Sequence, residues 1–145
     1  MNRISQSVRS KIMASIKGKD TTPEMIVRAY MHASGLRYRL HTRVNDTHPD
    51  LVFPRYSAAI FVHGCFWHQH RNCRHARVPT VRRKFWSNKF RANRKRDAKQ
   101  TTQLLRAGWR VATIWECKLS ENAQKKSLSR LYAWIQGNHA RIEIG

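Results

Sequence analysis

Acidic residues are scarce in this chain. Only 8 of its 145 residues are Asp or Glu, against 29 Lys and Arg, which leaves a formal net charge of +21. A balance so one-sided resists self-association and attracts polyanions. It predicts a monomer that binds nucleic acid, ahead of an anionic membrane surface. Cysteine is scarce too. Cys65, Cys73 and Cys117 make an odd number, and without a signal peptide that argues against a disulfide framework. The opening Met-Asn-Arg-Ile-Ser-Gln-Ser has no apolar core of the secretory kind. No apolar run is long enough to span a bilayer. Neither an internal repeat nor a low-complexity linker is present. The expectation is one soluble, cytoplasmic domain over residues 1–145, not membrane-bound, with its thiols reduced.

A hydrophobic fraction of 41% with five tryptophans supports a packed core at this length. Val8, Ile12 and Ile16 recur at helical spacing over residues 5–17, and Gly18 ends that basic amphipathic segment. Thr22-Pro23-Glu24 reads as an N-cap, a first-turn proline and a first-turn acid. The helix it opens runs to about Ser34, before Gly35. Residues 38–41 form a candidate strand and 43–49 a polar loop. Leu51-Val52-Phe53, a turn over 54–57 and the apolar run Ala58–Val62 make a hairpin. One arm of it starts at Asp50 and the other ends at His63. Residues 64–80 are irregular, 81–106 a long basic helix, 109–115 a strand and 121–136 a last helix. The fold class is mixed α/β.

Residues 61–73 hold three histidines, two cysteines and two adjacent aromatics. Cys65, His70 and Cys73, joined by the distant Cys117, make a donor set suited to tetrahedral zinc. A filled shell of four would be structural, with no position open for water. His68 and His75 are rival nitrogen ligands, and three unreactive thiols are the plainer reading. Asp50 could hold Mg²⁺, which prefers hard oxygen donors. His63 and His68 beside it could move protons near neutral pH. Glu24 is a third candidate, though by itself a first-turn acid is ordinary helix-dipole complementarity. Phe66-Trp67 and Phe85-Trp86 could wedge into a duplex or stack on bases. At least one member of each pair should be core, Phe85 being the choice in the second. Trp109, Trp115 and Trp134 read as core. The basic helix, with Arg91, Arg94, Lys95, Arg96 and Lys99 on it, implies phosphate contacts and salt-dependent binding.

These motifs resemble those of the very short patch repair (Vsr) endonucleases along nearly the whole chain. The resemblance is carried by Arg9-Ser10-Lys11-x-Met13, Pro49-Asp50-Leu51-Val52-Phe53 and Phe61-Val62-His63-Gly64-Cys65-Phe66-Trp67-His68. It continues through Cys73-Arg74-x-Ala76-Arg77-Val78-Pro79, Phe85-Trp86, Asn93-x3-Asp97 and Gly108-Trp109-Arg110-Val111 to Trp115-Glu116-Cys117. It implies a restriction-endonuclease-like mixed central sheet flanked by helices, with a structural zinc site. It also implies nicking of double-stranded DNA on the 5′ side of the thymine in T:G mismatches left by deamination of 5-methylcytosine, with mismatch-repair proteins as further partners.

Carried over by motif, Asp50 is the Mg²⁺ ligand, helped by the backbone carbonyl of Val62. His68 is the general base or acid with Glu24 in support, and His63 acts beside the scissile phosphate. Cys65, His70, Cys73 and Cys117 are the zinc ligands. Phe66, Trp67 and Trp86 form the major-groove wedge, Met13 the minor-groove one. Arg9 and Lys11 contact DNA from a basic helix over residues 1–18. A restriction-type strand carries Glu-x-Lys where this chain has Phe61-Val62-His63, so histidine chemistry takes that place. Two rival functions keep most of these features. One is a restriction enzyme of the same fold cutting unmodified DNA. The other is a zinc-containing DNA-binding module without catalysis.

Overall fold

The computed structural model describes residues 20–145. The segment over 5–17, with Arg9, Lys11 and Met13, lies outside the described residues. Helix α1 spans Thr22–Ala33. Its N-cap is Thr21, not Thr22: the Thr21 hydroxyl accepts from the Glu24 N–H, which puts Thr22 and Pro23 in the first turn. Gly35 closes it at φ +88°, a left-handed value that costs glycine nothing.

Strand β1 is only Arg39–Leu40, shorter than the 38–41 expected. Strand β2 is Leu51–Phe53 and β3 is Ala58–His63, joined by a 3₁₀ turn over Pro54–Tyr56. The long helix α2 spans Arg83–Arg106, β4 Arg110–Trp115, and α3 Gln124–Gln136, three residues later than its expected start. A fifth strand, β5 at Arg141–Ile144, was not expected from the sequence. Four residues after a glycine are too few for a period to register.

The five strands lie in the order β1-β2-β3-β4-β5. The first three pair antiparallel, while β4 runs parallel to both β3 and β5. The sheet is mixed and helices flank it, in agreement with the mixed α/β class. Side chains alternate along β3. Ala58 and Ile60 join the core that α1 and α3 cover, with Val27, Met31, Leu131 and Ile135. Ala59 and Phe61 join a second core with Leu104 and Val111. By that alternation His63 follows Phe61. Its partner across the parallel pair is Trp115, the last residue of β4. The two central strands therefore end together, at the edge where ligands gather in parallel sheets. Among the described residues no helix is long and apolar enough to cross a membrane.

Candidate active site and metal centre

Three groups of side chains meet beyond the carboxyl ends of β3 and β4. The first is acidic. Asp50 stands just before β2, and its Oδ2 accepts from the Val62 N–H at 2.7 Å. Its own N–H donates to the Ile60 carbonyl, so the hairpin register holds Asp50 against the last turn of β3. Glu24 comes from α1, where Glu24, Val27 and Met31 share the buried stripe. At 1% exposure Glu24 is no surface acid. It also keeps its place in the first turn of the helix, where it accepts from the Asp20 N–H at 3.2 Å. Burial first, and the neighbouring Glu24 carboxyl after it, push the Asp50 carboxyl up to about 7 against the pull of the Val62 N–H. Half-buried Asp50 beside buried Glu24 offers oxygen donors whose mutual repulsion a cation would relieve.

The second group is His63, His68 and Asp97. The two imidazoles stack face to face, centroids 3.9 Å apart and planes 2° off parallel. His68 Nδ1 lies 2.6 Å from Asp97 Oδ2. That bond places the proton on Nδ1 and leaves Nε2 free to accept another. His63 Nε2 sits 3.9 Å from the other Asp97 oxygen. Burial, and then the charge on His68, lower His63 to about 3 despite Asp97. It is thus a neutral imidazole at any working pH, and its buried Nδ1 has no hydrogen-bond partner among the described residues.

The third group is Cys65, His70, Cys73 and Cys117, whose donor atoms all lie within 4.8 Å of one another. His70 Nδ1 is 3.6 Å from the Cys65 sulfur and 3.4 Å from that of Cys117. Bonds of about 2.3 Å to sulfur and 2.0–2.1 Å to nitrogen at a tetrahedral angle put the two donors roughly 3.6 Å apart. The spacing fits a tetrahedral ion. Burial raises the Cys65 thiol to about 12, so a cation must compensate before these sulfurs ionise together. His75, a rival for the nitrogen position, is exposed and outside the cluster, and His68 is taken by Asp97. The His70 ring also stacks on Trp115 at 4.2 Å.

Aromatic side chains border these groups. Phe66 packs edge-on against Trp67, Trp86 and Phe90 at 5.1–5.5 Å. Phe90 is buried and anchors the cluster, while Phe66, Trp67 and Trp86 are half-buried. Phe85 is not core: it is 45% exposed, with the Arg82 guanidinium 4.3 Å from its ring centroid. The helix period decides this, since residues 86 and 90 share a face that 85 does not. Trp115 and Trp134 are buried as expected, whereas Trp109 is half-buried.

A family model described as DNA mismatch endonuclease Vsr matches residues 1–75. The DNA mismatch endonuclease Vsr of Escherichia coli is 37% identical over 96% of this chain and 90% of its own length. The type II nicking enzyme V.XorIIP of Xanthomonas oryzae is 43% identical over 83% of this chain and 88% of its own. The chain belongs to the Vsr family. Among solved structures, the catalytic domain of the homing endonuclease I-Bth0305I superposes with a TM-score of 0.55 at 21% identity, over 81% of this chain and 97% of that one. That likeness speaks for the fold alone.

Within this Vsr-family chain, the described candidates fall into place around one strand end. Asp50 and Glu24 meet on one side, His63 and His68 on the other. The Cys₃His set lies beyond them and the aromatics alongside. Asp97 is the residue that sequence reasoning left without a role. Its signal was spacing: Trp86, Phe90, Asn93, Asp97, Thr101 and Leu104 recur at intervals of three and four along α2. That stripe faces inward. Asn93 donates to the Trp67 carbonyl at 3.0 Å, Asp97 holds His68, and Thr101 and Leu104 are buried. Exposed Arg91, Arg94, Lys95, Arg96 and Lys99 take the other faces.

Proposed function

We propose that this protein is the strand-specific nicking endonuclease of very short patch repair. It hydrolyses the phosphodiester on the 5′ side of thymine in T:G mismatches that arise when 5-methylcytosine deaminates. The observation that carries this reading is the pairing of His68 Nδ1 with Asp97 within one ring stack of His63, at the end of the strand whose Val62 N–H binds Asp50. An oriented imidazole with a free Nε2 takes a proton from water or gives one to the leaving oxygen. Neutral His63 lies next to the scissile phosphate as a hydrogen-bonding partner that adds no charge. Asp50 and the backbone carbonyl of Val62 would hold Mg²⁺, with Glu24 in support. When bound, that ion stabilises phosphate charge and lowers the pKa of the attacking water.

Zinc suits the Cys₃His set by donor chemistry and spacing, and its role is structural because four protein ligands leave no open position. Cys65, His70, Cys73 and Cys117 would hold the ion, which would keep residues 65–73 rigid so that Phe66 and Trp67 approach the same base step as His68. With Trp86 they wedge into the major groove. Met13 enters the minor groove, and Arg9 and Lys11 contact the backbone from the basic segment 1–18. A wobble pair stacks poorly, so parting it costs less than parting a Watson–Crick pair. The unit is one domain over residues 1–145, working as a monomer on double-stranded DNA, with mismatch-repair proteins as further partners.

The deciding assay compares T:G and T:A duplexes of one sequence with Mg²⁺. Nicking of the thymine strand of the T:G duplex alone is expected. Equal cutting of both duplexes would favour a restriction activity. Tight binding with no nicking of either would favour a DNA-binding module.

A further inference from the structure

Asp20, Glu24 and His41 bring their donor atoms within 4.8 Å of one another, and Glu24 is the carboxyl that neighbours Asp50. Within this group stands the side chain of Arg28. Arg28 Nη2 contacts Glu24 Oε2, reaches Asp20 Oδ1 at 2.5 Å and lies 3.1 Å from His41 Nε2. Helical spacing puts Glu24 and Arg28 on one side of α1, four residues apart. The Asp20 N–H donates to the same Glu24 oxygen at 3.2 Å, and His41 Nε2 stands 3.2 Å from it. Three groups therefore converge on Oε2, which leaves Oε1 outside the clamp. The Glu24 carboxyl is in hydrogen-bonding reach of Asp50.

The clamp is itself braced. The Tyr38 hydroxyl donates to the Arg28 carbonyl at 3.0 Å, and the His41 N–H donates to the Asp50 carbonyl at 3.2 Å. Arg28 is 12% exposed, so its charge is poorly screened and its grip on Glu24 counts for more than a surface pair. The mixed sheet gives this corner no lysine, since β3 ends Phe61-Val62-His63. Among the described residues, the Arg28 guanidinium from α1 is the cation that contacts Glu24.

We propose that Arg28 is the resident cation of the acidic side, a positioning residue that holds Glu24 by one oxygen so that the rest of the carboxyl serves Asp50. His41 is the second, weaker arm of the same clamp. Neither touches the reacting atoms. The proposal deepens the nicking reading and rests on it.

The test uses the full chain with a T:G duplex, in the parent and in Arg28→Met, Arg28→Lys, His41→Leu and Glu24→Gln, with each clamp variant also combined with Glu24→Gln. Misplacing a group by about 1 Å costs on the order of 10²-fold in rate. Arg28→Met should therefore lower kcat by about 10- to 100-fold, with KM for the duplex and DNA affinity within about twofold of the parent. Arg28→Lys should recover part of the loss. His41→Leu, which leaves the ion pair in place, should cost only severalfold. In the Glu24→Gln background neither substitution should slow nicking further, because the group they position is already gone. A merely structural arginine would slow nicking by the same factor in both backgrounds, and that result overturns the proposal. So does an Arg28→Met protein with the parent's kcat. If Arg28→Met does not fold, the His41→Leu pair of backgrounds decides by the same rule. A parent that nicks no T:G duplex overturns the mismatch reading and this proposal with it. A nicking parent with multiplicative losses overturns the proposal alone.

Discussion

The acidic and the histidine sides of the site both lie at the end of β3, each with one buried member, Glu24 and His63, and loss of water removes charge from Asp50 and His63 in the opposite sense. On the acidic side, Asp50 is driven up to about 7 because an anion loses water and gains Glu24 as a neighbour. On the histidine side, His63 is driven down to about 3 because a cation loses water and faces His68. The histidine side carries its own compensation: Asp97 reaches it from α2 and ties His68. The acidic side has Arg28, which pairs with Glu24 and also draws Asp50 down, but less than burial and Glu24 raise it. One half thus carries a carboxylate on its imidazole, and the other a carboxyl that a nearby cation would return to its charged form.

Four predictions press on that contrast. The largest effect belongs to Asp50→Ala, which should lower the nicking rate at least about 10³-fold while DNA binding survives, because oriented electrostatic stabilisation is the dominant catalytic contribution. Single-turnover nicking and a gel-shift titration on one preparation check it, and full activity in Asp50→Ala would falsify the site assignment. Next comes the metal centre. Cys117→Ser, or prolonged chelation, should release about one zinc per chain and lower the melting temperature, since structural zinc contributes folding free energy. Metal analysis beside a thermal melt reads both, and an unchanged melt with no zinc released would leave the four donors as plain thiols.

Third, Asp97→Asn should slow nicking about 10²-fold by freeing the His68 tautomer, within the range general acid–base catalysis contributes. The loss should appear in kcat, with duplex affinity retained. The smallest effects are those of pH on the metal-free protein. Asp50 has a folded value above its unfolded 3.8, so its stabilisation is complete below about 4 and is lost as pH rises through about 7. His63 has a folded value below its unfolded 6.5, so its stabilisation is complete above about 6.5 and is lost as pH falls toward 3. His63→Asn should flatten the acid limb of a urea-denaturation profile, and Asp50→Asn the limb between about pH 4 and 7. Mg²⁺ affinity by calorimetry should climb about tenfold per unit below pH 7 and level off above it, since the ion displaces the Asp50 proton. An affinity flat from pH 5 to 8 would place the binding proton elsewhere.

Much of the fold was legible because it is periodic. The apolar run Ala58–Val62, the strand over 109–115 and the Gly35 stop all correspond to real elements. The N-cap slipped by one residue because Thr21 and Thr22 are chemically equivalent there, and only the bond from the Glu24 N–H distinguishes them. Phe85 was placed inside because adjacent aromatics look alike in sequence. The Trp86–Phe90 face of α2 decides which of them is core. Strand β5 had no period to read and owes its place to pairing with β4.

By itself the sequence determined the chemistry of this protein. Its charge favours a polyanion, its three cysteines and a nearby histidine suit a tetrahedral ion, and Asp50, His63 and His68 stand at the ends of apolar runs. Only the tertiary structure decided which groups act on one another. Asp97 lies 29 residues from His68 and Glu24 lies 26 from Asp50, and no local rule links such pairs. They meet because α1 and α2 pack on opposite faces of one sheet and each turns a polar member of its buried stripe toward the end of β3. Desolvation there, a property of the packed molecule, is what moves Asp50 up and His63 down.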